Sequence, residues 1–289
     1  MGDVAIRVKD VRKRYGDLWA LDGVSFDIAY GECFSLLGPN GAGKTTITEI
    51  LEGYRSRDAG DAEVLGIDPA HADREWKSRV GIVLQSDRDL GDLTVSEAVH
   101  HFAGYYPNPR NPDEVIDAVG LTEKRKSRNE KLSGGQRRRL DVALGIIGRP
   151  SVLFLDEPTT GFDPEARRDF WDLIDGLKSE GTTILLTTHY LEEAEYLADR
   201  VAVISRGRVV ECDTPARLGD RQKGTARVTW LENGHHRELQ TMAPTKAVSD
   251  LSARFDGEIP GLTVQRARLE DVYLALLDGD RYAEGGDSE

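Results

Sequence analysis

Short apolar runs alternate with longer amphipathic ones over the first two hundred residues. Val4–Lys9, Gly23–Ile28, Cys33–Leu37, Val80–Leu84, Val152–Leu155, Thr182–Thr187 and Val201–Ser205 read as strands. Several are apolar throughout, as strands covered on both faces are. Between them lie helical stretches. In Pro164–Lys178, residues Phe170, Leu173, Ile174 and Leu177 repeat at i, i+3, i+4, i+7 and mark one buried helix face. Pro164 suits a first helical turn and Gly181 a stop. Alternating strand and helix predicts an α/β fold around a mostly parallel sheet.

Two segments break this rhythm. Leu93–Ser133 holds helical stretches near Val95–Tyr106 and Asp113–Val119, split by a Pro/Asn-rich break at Pro107–Pro112. It reads as a helical insert, about 86–133. Beyond Asp220 the pattern becomes a hairpin, Thr225–Leu231 and Arg237–Thr241 around Asn233-Gly234. A helix at Ala247–Phe255, an extended run at Leu262–Arg266 and a helix at Leu269–Leu277 follow. Residues 222–278 therefore read as a small α+β annex, and the Gly-rich, acidic tail 279–289 as disordered.

Composition narrows the partners. The 289 residues carry 51 acids against 38 Lys and Arg, a formal charge of −13. That balance argues against nucleic acid as the main ligand, because phosphate neutralisation needs a basic face. Glu123–Leu140 is the local exception, with eight basic residues and two acids. The longest apolar run, Val272–Leu277, is six residues; a spanning helix needs about 20. No secretory signal is expected at the start, where Met1–Gly16 has five basic residues and no apolar stretch. Two widely separated cysteines, Cys33 and Cys212, point to a reducing compartment.

The candidate chemistry is concentrated in three places. Gly38-Pro39-Asn40-Gly41-Ala42-Gly43-Lys44-Thr45, followed by Thr46, matches G-x-x-x-x-G-K-[ST] between a strand and a helix. That context predicts a phosphate-binding loop: glycines let backbone N–H groups wrap an anion, and the helix N-terminus adds positive potential. Lys44 would bridge the β- and γ-phosphates and Thr45 would ligate Mg²⁺. Secondly, Ser151–Leu155 is a buried-type strand ending in Asp156 and Glu157. Carboxylates at a strand's carboxyl end sit where α/β sheets bind ligands. Asp156 suits the metal, and Glu157 suits a base for attacking water. Thirdly, Ser133-Gly134-Gly135-Gln136 opens a helical run through Ile147. Ser133 suits an N-cap, and the glycines permit close anion approach. Two phosphate sites a hundred residues apart hint at two copies sharing the ligand; an ordinary capped helix is the plainer reading.

Together these residues resemble the ATP-binding cassette (ABC) ATPases over about residues 4–219, with Gly38–Thr45 as Walker A, Asp156-Glu157 as Walker B and Leu132–Gln136 as the signature. The resemblance implies further roles. Gln85 corresponds to the Q-loop glutamine at the metal. Asp163, in Gly161-Phe162-Asp163-Pro164, corresponds to the D-loop, with Phe162 where Leu is common. His189 corresponds to the switch histidine at the γ-phosphate, and Tyr15 to the aromatic that stacks on adenine. The implied fold is a P-loop NTPase cassette, with a mixed sheet core, a helical subdomain and the annex. Two copies would sandwich two ATP·Mg²⁺. The Leu269–Leu277 ending, with Leu132–Ala143 and Tyr190–Asp199, is similar to the ATPases of ABC-2-type exporters of drugs and antibiotics. That implies a separate transmembrane permease and a peripheral position on the cytoplasmic face. The alternatives are a non-transport cassette ATPase on ribosomes or DNA, and a nucleotide-gated module without turnover. The histidine pairs 100–101 and 235–236 have no partners at metal-site spacing.

Overall fold

A computed structural model describes residues 4–83, 90–218, 226–255, 257–266 and 269–283. Its contacts divide into two compact units, Met1–Cys212 and Asp213–Glu289; the boundary read from composition was near 219–222.

The first unit begins with a long hairpin, β1 (Val4–Tyr15) and β2 (Leu18–Ala29). Both strands run well beyond the apolar runs that announced them. β3 (Cys33–Leu37) leads into α1 (Lys44–Leu51). β4 (Ala59–Val64), a strand with no apolar run to announce it, pairs antiparallel with β1. After α2 (Arg74–Ser78) and β5 (Val80–Val83) comes the helical insert, α3 (Val95–Ala103) and α4 (Pro112–Ala118). Then follow α5 (Gly134–Ile146), β6 (Val152–Asp156), α6 (Pro164–Ser179), β7 (Thr183–Thr188), α7 (Leu191–Leu197), β8 (Arg200–Ser205) and β9 (Arg208–Asp213).

Two sheets form this unit. One is antiparallel, ordered β2-β1-β4; the other runs β5-β6-β7-β3-β8-β9, with every pairing from β5 to β8 parallel. Every residue of β3, β6 and β7 is buried, which explains their unbroken apolar runs. Alternation divides each strand between two cores. Leu153, Leu155, Ile184 and Leu186 face the cluster built with the helical insert, α5 and α6. Phe34, Leu36, Val152, Phe154 and Leu185 face the cluster built with α1 and the antiparallel sheet.

The second unit is a three-stranded antiparallel sheet, ordered β11-β10-β12: β10 (Ala226–Glu232), β11 (His235–Thr241) and β12 (Thr263–Arg266). Asn233 and Gly234 both have positive φ, at 53° and 77°, the conformation a two-residue hairpin of this twist requires. α8 (Pro244–Ser252) packs Ala247 and Leu251 against Val228 and Trp230. α9 (Leu269–Ala283) extends six residues beyond the expected helix and into the tail read as disordered; 284–289 lie outside the described residues.

α1 is closed at its far end by Glu52, which is buried. Burial, with the Asp156 and Glu49 carboxylates adding repulsion, pushes the Glu52 carboxyl from 4.5 up to about 8. A raised carboxyl pKa means the folded protein holds a proton that the unfolded chain releases. Its contribution is therefore whole below about 4.5 and fades as pH climbs toward 8. Glu52→Gln should thus gain thermal stability over the wild type at pH 8 and lose that advantage at pH 5. Melting curves for the two proteins that shift in parallel across this range would overturn the assignment.

Candidate functional site

The phosphate loop folds as its sequence predicts. Lys44 Nζ donates to the carbonyls of Gly38 at 2.7 Å and Pro39 at 3.1 Å, so the loop curls around its own ammonium. Gly43 caps α1 with φ at 108°, and a Cβ there would lie 2.5 Å from the Ala20 carbonyl. A Cβ on Gly38 would lie 2.3 Å from the Ile204 carbonyl. Neither position admits a side chain without moving backbone. Ala42 is buried, and its carbonyl accepts from Gly207 N at 2.9 Å. Burial pulls the Lys44 ammonium below the usual lysine range, and the carboxylates of Glu157 and Asp156 oppose that pull.

A cleft of about 890 Å³ opens over this loop. Asn40, Gly41, Gly43, Lys44, Thr45 and Thr46 form its floor, Glu157 and His189 one end, and Leu18, Trp19 and Ala20 a wall. Glu157 follows β6 with φ at 47°, a left-handed conformation unusual for glutamate. Its N–H donates to Thr187 O at 3.0 Å, and its carboxylate meets His189 Nδ1 at 3.2 Å. Asp156 is buried at the strand end and accepts a hydrogen bond from the Thr187 hydroxyl. Strained backbone of this kind gathers at functional sites, where surrounding contacts enforce it.

The Ser133 segment is a capping box: Ser133 Oγ accepts from Gln136 N at 3.2 Å, and Gln136 Oε1 accepts from Ser133 N at 3.1 Å. Ser133, Gly134, Gly135 and Gln136 line a second cleft of about 490 Å³ together with Asp163 and, from its other side, Glu157. Asp163 Oδ1 caps α6 by accepting from Ala166 N at 2.8 Å. Phe162, the departure from the expected Leu, packs edge-on against Phe170 at 5.9 Å.

Two of the expected site residues are not placed at the cleft. Tyr15 is not among the cleft-lining residues. Its ring lies under the Arg55 and Lys13 cations, at 5.4 and 5.7 Å. Trp19, whose own ring lies 5.5 Å from the Arg14 guanidinium, is the aromatic that lines the cleft. Gln85 lies outside the described residues. Arg138 went unnoticed as more than part of a basic run. It is buried, and its guanidinium donates to the carbonyls of Asp156 and Pro158, tying the Ser133 helix to the carboxylate loop.

The donor set fits a divalent cation held with phosphate. Among the described residues no three His, Cys, Asp or Glu side chains cluster as an all-protein cage. Thr45 and Asp156 supply one hydroxyl and one carboxylate, the hard oxygens that magnesium combines with substrate phosphates. The adjacent Glu157 carboxylate favours a cation further.

Known proteins share this fold and sequence. Solved ATP-binding cassettes share the fold: an ATP-binding subunit of an ABC transporter superposes at a TM-score of 0.68, with 24% identity, over 74% of this chain and 91% of its own. A dimeric post-hydrolysis cassette bound to ADP and Pi superposes at 0.65, with 22% identity, over 72% and 98%. A daunorubicin resistance ATP-binding protein of Streptomyces coeruleorubidus is 37% identical over 97% of this chain and 98% of its own. A Nod factor export ATP-binding protein of Ralstonia nicotianae is 44% identical over 74% and 68%. The profile of the ABC transporter family matches residues 21–160. With the phosphate loop, the carboxylate pair and the Ser133 helix arranged as described, the chain belongs to the ABC transporter family as one of its ATP-binding cassettes.

Proposed function

We propose that this protein hydrolyses ATP to drive export through a separate ABC-2-type permease, from the cytoplasmic face of the membrane. No helix among the described residues is long and apolar enough to cross a bilayer, so the conduit is assigned to another chain. The observation that carries the catalytic reading is that Lys44, Glu157 and His189 share one cleft.

Each group has a distinct task. Backbone N–H groups of 40–45 and the Lys44 ammonium bind and align the triphosphate, which is most of what phosphoryl transfer asks of a protein. Glu157 accepts the proton of the attacking water. His189, 3.2 Å from Glu157, orients that water and the γ-phosphate. Magnesium, held by Thr45, Asp156 and Gln85, would neutralise the charge developing on the phosphate oxygens. Trp19 supplies a wall for the base. The Ser133-Gly134-Gly135 terminus, which opens its own cleft, is assigned to the site of a second copy, where it would meet the γ-phosphate. Closure around ATP and release after hydrolysis would then move the permease. The exporter relatives support the direction of transport. A module without turnover would have no use for a base and an imidazole in contact at the phosphate end.

Glu157→Gln should lower turnover by about 100-fold or more while retaining ATP, measured as phosphate release and as nucleotide held by the purified dimer. Unchanged turnover would refute the base. Lys44→Ala should weaken ATP binding by roughly tenfold or more, the worth of a charge-assisted contact; unaltered affinity by titration would refute the cradle. Trp19→Ala should weaken ATP binding by roughly fivefold or more through lost base stacking, and Tyr15→Ala by no more than about twofold. The reverse order would restore Tyr15 as the base platform.

A further inference from the structure

Behind the two catalytic loops lies a buried polar knot that the chemistry above does not use. Glu193, in the first turns of α7, is fully buried. Its carboxyl faces the hydroxyls of Thr159 and Thr188, the indole N–H of Trp171 and the guanidinium of Arg167. Both Glu193 oxygens, Thr159 Oγ1, Trp171 Nε1 and Arg167 Nε are buried without a direct hydrogen-bond partner among the described residues. Elsewhere the same helices pack through apolar residues: Ala166, Phe170, Ile174 and Leu177 on α6, and Leu197 on α7. A carboxyl at this place costs desolvation that an apolar residue would avoid. Burial accordingly pushes the Glu193 carboxyl above its ordinary range, while its polar neighbours pull it back.

What the knot joins is informative. Thr159 stands two residues after Glu157, and Thr188 immediately before His189. Arg167 and Trp171 lie on α6, whose first turn is capped by Asp163. A second thread reaches the imidazole. The Arg167 guanidinium lies 4.9 Å over the Tyr190 ring, and that ring is 4.1 Å from the ring of His189. Tyr190 N donates to Thr188 Oγ1 at 2.9 Å. Trp171 stacks on Tyr196 of α7 at 4.7 Å.

We propose that Glu193 is a positioning residue that locks the loop after Glu157 to the loop of His189, so that base and imidazole reach one reacting phosphate together. This rests on the reading of Glu157 and His189 as the hydrolytic pair. The knot touches neither nucleotide nor the cleft, and acts only through spacing.

The test compares Glu193→Ala, Glu193→Gln and Thr159→Val in the full chain. The readings are kcat and KM for ATP, and hydrogen exchange of segments 157–163 and 187–190. Glu193→Ala should lower kcat by on the order of tenfold to a hundredfold, the effect of roughly 1 Å of misplacement, with KM shifted by no more than about twofold. Exchange should quicken in both segments. Glu193→Gln keeps shape and polarity and should restore most of the turnover. Thr159→Val should add little on top of Glu193→Ala, because both break one network. Should Glu193→Ala fail to fold, Thr159→Val alone should show the kcat loss and the quickened exchange. Unchanged kcat, a loss falling on KM alone, exchange changes confined to α7, or Glu193→Gln as slow as Glu193→Ala would each overturn the proposal. The exchange reading does not depend on which residue is the base. If Glu157→Gln kept full turnover, the catalytic reading would fall while exchange still decided the coupling.

Discussion

Strand register is the constraint on which the site depends. In the parallel sheet, Leu37 of β3 pairs with Thr188 of β7, and Asp156 of β6 pairs with Thr187. One residue beyond those rows begin the phosphate loop at Gly38, the imidazole at His189 and the base at Glu157. Three segments far apart in sequence therefore leave the sheet at nearly one level. A slip of one residue would send every buried side chain of a strand to the opposite face. The two cores forbid it, because each demands its own alternate set of residues. Packing that carries no chemistry thus fixes the spacing of the groups that do.

Charge sets the second layer. The carboxylates of Asp156 and Glu157 both act on the Lys44 ammonium, an arrangement that would repel itself without opposite signs at short range. Desolvation weakens the ammonium's hold on its proton, and the carboxylates restore it. The Gly38 and Pro39 carbonyls occupy the ammonium in the free protein. Arg138 adds a mechanical link from the Ser133 helix to the carboxylate loop. The second cleft consequently shares Glu157 with the first.

Much of this was legible because it is local. The phosphate loop, the acidic strand end and the Ser133 cap are each contiguous, and each states its backbone needs in glycines and cap residues. The α/β alternation was legible for the same reason. What escaped reading depends on partners distant in sequence. β4 is Ala-Gly-Asp-Ala-Glu-Val, a poor strand by composition that exists because β1 offers it an edge, with Ile6 opposite Val64 and Val8 opposite Ala62. Trp19 and Tyr15 are equivalent aromatics in a hairpin, each beside a guanidinium, Arg14 and Arg55, and only the folded cleft tells them apart by taking Trp19 into its lining. Glu193 looks like one of several surface acids in Leu-Glu-Glu-Ala-Glu, and only the packing of α7 on α6, β3 and β7 buries it.

The wall carrying Trp19 comes from the antiparallel sheet, whereas the floor comes from the parallel one. Backbone joins them where Asp22 N donates to Gly207 O and Gly207 N to Ala42 O, and one apolar core fills the space between. On the function proposed above, the two ends of one nucleotide are thus gripped by different sheets, so a shift of one sheet against the other is felt at both.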